Sequence, residues 1–225
     1  MSPRGGPLRC DQYETRMKSF DEAFRANLRD LLVWRRDVRR FRNEPLPDGA
    51  LERLIETACL APSVGLSQPC FVIVDDPARR QAVIEDFTAC NADALTAYAG
   101  EKAARYATLK LAGLKEAPGH LAVFADRGTE QGHGLGRRTM PEMIEYSVVT
   151  AVYTLWLAAR AEEIGMGWVS ILDPAHIRRI LDVPEGWRFI GYFCLGYPQA
   201  ESDAPELERA GWEKRSCAQT FIYRR

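Results

Sequence analysis

The segment Val148–Ala161 constrains the fold more than any other. Val149, Ala151, Val152, Leu155, Trp156, Leu157, Ala158 and Ala159 leave almost no polar side to a helix drawn through them. Pro141 is placed for the first turn of that helix, which should run to about Glu163. A helix that is apolar nearly all round must be buried centrally or lie in a subunit interface. The rest of the chain therefore has to wrap it.

Shorter elements surround it. Ser19-Phe20-Asp21-Glu22 fits a capping box with Ser19 as N-cap, opening a helix that carries Phe20, Phe24, Leu28, Leu31 and Leu32 at helical spacing. A second amphipathic helix holds Leu51, Leu54, Ile55 and Ala58 and stops at Ala61-Pro62. Further helices are predicted over 78–98, over 101–115, and from Asp173-Pro174 to Leu181. Residues 71–74, 121–125, 168–171 and 189–195 are short apolar runs that read as buried strands. Long helices around a few short strands, with helix pairs between them, argue an α+β fold. Residues 1–18 and 199–225 read as arms on a domain spanning 19–198. Trp212, Phe221 and Tyr223 suggest that the second arm packs on something, such as a partner subunit.

Charge and cysteine usage narrow the function. A net charge of -1 removes the general electrostatic case for nucleic acid or an anionic membrane. No apolar run is long enough to span a bilayer, and Met1 to Arg16 lack the apolar stretch of a secretory signal. Cys10, Cys59, Cys70, Cys90, Cys194 and Cys217 form no C-x-x-C pair and read as reduced, mostly buried thiols of a cytoplasmic protein. His120, His133 and His176 have no metal-ligand spacing.

The chemical signal is Arg35-Arg36-Asp37-Val38-Arg39, at the end of the first helix. Arginine presents a planar fork of donors that fits phosphate oxygens and stays charged at any working pH. The carbonyl end of a helix repels anions, so the arginines must supply whatever attraction a phosphate finds there. Asp37 adds nothing to a phosphate cradle. It either neutralises an arginine or has a task of its own. Gly165-Met166-Gly167 is no dinucleotide fingerprint: it ends a helix and opens a strand, the reverse of the required order, and the third glycine is missing. It reads as a helix stop whose glycines also let backbone amides approach a flat ligand.

The motifs say more together than singly. Arg35-Arg36-x-Val38-Arg39-x-Phe41, Ala61-Pro62-Ser63 with Gln68-Pro69, Gly165-Met166-Gly167-Trp168 and Gly196-Tyr197-Pro198 occur in that order. This set resembles the nitroreductase-like flavoprotein family. The resemblance implies a central, mostly antiparallel sheet surrounded by helices, in a homodimer with FMN at the interface. It implies that Arg35, Arg36, Val38 and Arg39 hold the FMN phosphate end, and that Pro62, Ser63 and Val64 lie along the flavin. Gly167 and Trp168 would lie beside the ring system with a backbone amide near N5, and Gly196 would belong to the same site. Helices 78–98 and 101–115 would form a lid, about 78–116, with Lys102 and Leu111 touching the flavin.

Most members carry a small hydroxyl residue where this chain has Asp37. That acid, with Ala61–Gly65, Tyr106-x-x-Leu109-Lys110-Leu111-x-Gly113, Leu135-Gly136-Arg137, Leu155–Glu162 and Gly167–Ile171, resembles a branch that consumes its flavin. That branch breaks down reduced FMN with molecular oxygen to 5,6-dimethylbenzimidazole, the lower ligand of cobalamin, with erythrose 4-phosphate released. The resemblance puts Asp37 and Ser170 on the reacting face. A carboxylate near the ribityl–ring junction could take a proton as general base, and a serine hydroxyl could orient oxygen. A lid leaves little room for a nicotinamide, so reduced FMN would come from a separate flavin reductase. The rivals are an NAD(P)H-dependent nitroreductase or flavin reductase and a non-catalytic flavin-binding protein.

Overall fold

The structure, a computed structural model, describes residues 18–225, so all but the last residue of the expected N-terminal arm lies outside the described residues. In chain order the elements are α1 Glu22–Trp34, α2 Ala50–Ala58, β1 Cys70–Ile73, α3 Pro77–Leu95 and α4 Gly100–Thr108. Then follow β2 Gly119–Asp126, α5 Met143–Ala161, β3 Gly165–Val169, α6 Pro174–Leu181, β4 Trp187–Gly196 and the single turn α7 Glu206–Arg209. The four strands form one sheet in the order β1-β2-β4-β3, with every pair antiparallel.

Alternation along the two central strands sets the layers. Leu121, Val123 and Ala125 of β2, with Phe193 and Leu195 of β4, face α2 and α5. Ala122, Phe124, Tyr192 and Cys194 point the other way, into a core shared with α3 and α6. Successive side chains of a strand alternate faces, so a strand that is apolar throughout needs cover on both sides. The sheet is accordingly the middle of three layers.

The all-apolar segment resolves into two faces. Ile144, Val148, Ala151, Val152, Leu155 and Ala159 of α5 are buried against the sheet. Tyr146, Val149 and Tyr153 are exposed on the opposite side. The sequence alone could not separate these faces, because both are apolar.

Other expectations shift. The N-cap of α1 is Asp21, not Ser19: its Oδ1 accepts the Phe24 amide at 2.8 Å. Asp and Ser are comparable caps, and here the one nearer the apolar run is used. The helix predicted over 101–115 ends at Thr108. Gly165-Met166-Gly167 does not stop α5; it lies inside β3. The stop comes earlier, at Glu163, whose φ of 61° is left-handed. There the Ile164 amide reaches back to the Ala159 carbonyl at 2.8 Å and the Glu163 amide to Arg160 at 3.1 Å. This is the usual glycine-type C-terminal lock made without glycine, which hid it in the sequence. Of the described cysteines only Cys194 is wholly buried; Cys59, Cys70 and Cys90 are half-buried and Cys217 is exposed.

Polar contacts tie elements within the layers. Buried Asp86 of α3 accepts the Asp173 amide at 2.9 Å and holds His176 Nδ1 at 2.6 Å, so α3 is clamped to the start of α6. His120 of β2 is 1% exposed, with Nδ1 2.9 Å from the Tyr192 hydroxyl and Nε2 3.1 Å from the Ala117 carbonyl. Those partners assign the neutral tautomer that donates from Nε2 and accepts at Nδ1. Burial, then the nearby Arg80 cation, pushes the His120 imidazolium pKa down from 6.5 to about 4.

The sign of the pH effect follows. Between those two values the unfolded chain holds a proton on His120 that the folded chain refuses, so stability falls as pH drops from 6.5 toward 4. His120→Gln should remove up to one proton from that slope, at most about 1.4 kcal/mol per pH unit. Urea unfolding at a series of pH values measures it, and an unchanged slope would place the proton uptake elsewhere.

Candidate functional site

The arginine segment does not close a helix; it starts where α1 ends. Arg35 is the C-cap, with extended backbone angles, and the chain runs on beside β3. Asp37 makes a parallel bridge to Met166, and the Val38 amide donates to the Met166 carbonyl at 3.0 Å. Trp156 of α5 donates its indole N–H to the Arg36 carbonyl at 3.2 Å. The central helix and an edge strand thus fix the backbone from which the arginines project.

Gly167 makes this approach possible. A Cβ at that position would overlap the Val38 carbonyl oxygen. The second glycine of the motif therefore serves the joint between β3 and the arginine segment, the close backbone approach that glycine permits.

The three arginines differ. Arg35 stacks over Trp156, 5.0 Å from the ring centroid, and reaches Tyr153 at 5.8 Å, while its Nε is buried without a partner. Arg36 donates to the Val33 carbonyl at the end of α1, and its Nε is also buried and unpartnered. Burial, then the Arg35 and Arg215 charges, lowers the Arg36 pKa from its ordinary value. Arg39 is engaged within the protein: Nε donates to Asp37 Oδ2 at 2.7 Å and a terminal nitrogen to the Lys110 carbonyl at 3.1 Å. Arg35 and Arg36 have donors to offer an anion; Arg39 holds Asp37.

Asp37 is bound through both oxygens. Oδ2 takes Arg39, and Oδ1 accepts the Trp168 amide at 2.9 Å. Its side chain keeps 32% of its exposure, so the carboxylate still meets solvent. Of the alternatives that the sequence left open, the ion pair is present: Asp37 neutralises Arg39, and it also lines the cleft.

That cleft has a volume of about 410 Å³ and is walled by Arg35–Arg40, Trp156, Arg160, Met166 and the segment 198–209. Arg40 and Arg160, which the sequence reading missed, line it beside Glu206 and Glu201. Arg215, whose charge is felt at Arg36, was missed as well. Arg40 follows Arg39 directly and Arg160 lies in the Leu155–Glu162 run, but neither was read as a site residue; Arg215 stands outside every quoted motif, and only folding gathers the three.

Of the other predicted residues, Trp168 joins this site through its amide, which Asp37 accepts. Pro62, Ser63 and Val64 lie against α5: Thr150 donates its hydroxyl to the Pro62 carbonyl at 2.8 Å, and the Val64 amide donates to Ser147 at 2.9 Å. Lys102 is exposed on α4, and half-buried Leu111 follows that helix. Trp168 is half-buried, with its ring against Trp156 and Phe193. Ser170 is exposed just beyond β3. Gly196 is buried at the end of β4 against Pro118 and Phe41.

Comparison with known proteins fits this geometry. The family model described as the nitroreductase family matches residues 32–197. A Rhodospirillum rubrum protein named 5,6-dimethylbenzimidazole synthase is 56% identical over 87% of this chain and 93% of its own length. A Rhodobacter capsulatus protein of the same name is 48% identical over 87% of this chain and 95% of its own. Among solved structures, iodotyrosine deiodinase bound to FMN and 3-iodo-L-tyrosine aligns with a TM-score of 0.65 and 24% identity. That alignment spans 78% of this chain and 91% of the other, and it shows a shared fold.

The Gly167 joint is testable without any ligand. In Gly167→Ala the added Cβ must push Val38 away and loosen the Asp37–Trp168 contact. Overpacking against backbone should cost about 2 kcal/mol. The urea midpoint reads this; an unchanged midpoint would mean that the joint is looser than described.

Proposed function

The chain belongs to the nitroreductase family, and from that premise we propose that it is an enzyme that takes reduced FMN and molecular oxygen as substrates. It fragments the flavin to 5,6-dimethylbenzimidazole and releases erythrose 4-phosphate. The observation that carries this reading is Asp37, a solvent-touching carboxylate seated among phosphate-ready arginines, where it is fixed by the Trp168 amide and Arg39.

The cradle suits the phosphate of FMN. Arg35 and Arg36 each keep a buried, unpartnered Nε, and a dianion would satisfy both. Reduced FMN supplies the electrons for oxygen, the dimethylbenzene ring with its two nitrogens, and the ribityl C1′ that closes the imidazole ring when the other four ribityl carbons leave as erythrose 4-phosphate. Asp37 takes a proton at the ribityl C1′ as general base, with Arg39 holding it in place. Ser170 offers its exposed hydroxyl as the donor that orients oxygen. Trp168 walls the ring side. Lys102 and Leu111, on α4 and just past it, close over the flavin and keep water out. Reduced FMN comes from a separate flavin reductase, and the protein works in the cytoplasm. No helix among the described residues is long and apolar enough to cross a membrane.

The working unit on this reading is a homodimer. No residue of α1 is buried in the single chain, and Phe24, Leu28, Leu32 and Trp34 stand 40–44% exposed. Tyr146, Val149 and Tyr153 of α5 add to the exposed apolar surface. An exposed apolar area of this kind marks an interface. A second copy would cover it and bring the Pro62–Val64 loop of one chain toward the cleft of the other, which accounts for a site that one chain leaves in pieces. Leu28→Glu should convert the dimer to monomer, as read by light scattering, and lower FMN affinity with it. A Leu28→Glu dimer of unchanged mass would overturn the assignment of this face.

For the chemistry, the protein is incubated with chemically reduced FMN in air, and products are read by mass spectrometry. The wild type should yield 5,6-dimethylbenzimidazole. Asp37→Asn and Ser170→Ala should still bind FMN but lose product formation by about 100-fold or more. FMN returned intact by the wild type would instead favour a nitroreductase or flavin reductase, or a binding protein.

A further inference from the structure

The lid helix α4 has a thin attachment. Tyr106 is its one buried residue. The Tyr106 ring stacks on Tyr98 at 4.9 Å, and its hydroxyl donates to Asn91 of α3 at 2.8 Å. The third neighbour comes from far along the chain: Trp212 meets Tyr98 edge-on at 5.5 Å and Tyr106 at 6.2 Å. Arg105 adds a second tie by donating to the Gly211 carbonyl. The C-terminal segment therefore grips α4 at its only buried point.

The same segment is one wall of the arginine cleft. The Gln199 amide donates to the Arg40 carbonyl at 3.1 Å. Arg160 grips Glu201 through both oxygens at 2.7 and 3.2 Å, and Arg40 pairs with Glu206. Glu206 opens α7, and the Trp212 amide folds back onto the Leu207 carbonyl at 2.8 Å. Glu206 and Trp212 are thus parts of one compact turn that joins the cleft wall to the aromatic cluster.

We propose that Trp212 is a positioning residue for the lid, and that segment 199–215 couples occupancy of the arginine cleft to the placement of α4. Trp212 touches neither the cleft nor the reacting atoms. It acts through Tyr106. A phosphate at Arg35 and Arg36 changes the charge that Arg40 and Arg160 share with Glu206 and Glu201, and α7 passes the adjustment to Trp212. Only a flavin that bears phosphate would then set the lid. The consequence for chemistry rests on the fragmentation reading above; the coupling itself does not.

The test uses the full-length protein, with FMN and riboflavin as probes. Trypsin cleavage after Lys102 reports α4. In the wild type FMN should slow that cleavage and riboflavin should not. In Trp212→Ala the protection by FMN should vanish while oxidised FMN still binds within about threefold of the wild-type Kd. Trp212→Phe should restore it. With reduced FMN in air, Trp212→Ala should give about tenfold less benzimidazole per flavin oxidised, the rest returning as intact FMN. Arg105→Ala, which removes the second tie at the surface, should show the same loss of protection if Trp212→Ala does not fold. Protection by riboflavin equal to that by FMN would overturn the proposal, as would undiminished FMN protection in Trp212→Ala. A wild type that makes no benzimidazole removes the fragmentation reading alone, because the FMN-against-riboflavin comparison still decides the coupling.

Discussion

The site depends on the two-sided hold on Asp37. One carboxylate oxygen takes the Trp168 amide and the other takes Arg39. This joins three parts that the sheet does not: the segment past α1, edge strand β3, and, through the Arg39 bond to Lys110, the loop that follows the lid helix. A carboxylate with both oxygens bonded in a partly buried place has a fixed direction, and fixed direction is what a proton-transferring group needs. It also divides the arginines. With Arg39 committed to Asp37, the donors left for the proposed phosphate are those of Arg35 and Arg36, whose Nε atoms are buried without partners. Unpartnered buried donors are costly to maintain, and a site that binds an anion is where that cost has a use.

Much of the fold was legible. The strands declared themselves as short apolar runs because β2 and β4 are covered on both faces. The start of α6 was legible because Asp173 caps it and Pro174 fits its first position. The misreadings share a cause: a local signal can be met in more than one way. Ser19 and Asp21 were both good caps. Glycine near a helix end suggested a stop, while Glu163 supplied the left-handed residue and left Gly167 for the contact with Val38. The two apolar faces of α5 could not be told apart, because the exposed face is as apolar as the one packed in the core.

The site was legible only where it is continuous in sequence. Arg35 through Arg39 and Gly165 through Trp168 are runs, and spacing could point to them. Arg160 and Arg215 lie far from the arginine run, and nothing in their neighbours marks them as lining or charging one cleft, while Arg40 adjoins that run but was passed over as its variable position. Trp212 was visible as an aromatic in a polar tail that should pack on something, with a partner subunit as one candidate. Its ring instead meets Tyr98 and Tyr106 of the same chain.

On the proposed reading, in which the flavin is consumed, α4 as a weakly anchored lid is what the chemistry calls for. A resident cofactor can sit under a cover that never opens fully. A flavin that is destroyed must be replaced at every turnover, so the cover has to release and close once per cycle. Elements that move are drawn from the least stable parts of a fold, with few buried contacts. Helix α4, with Tyr106 as its one buried residue, is such an element. Weak anchoring alone would leave the reacting flavin open to water, so closure has to be driven by something that signals the right ligand. The phosphate end of FMN lies farthest from the chemistry and does not change during it, and the segment that walls the arginine cleft also carries the residue that grips the lid.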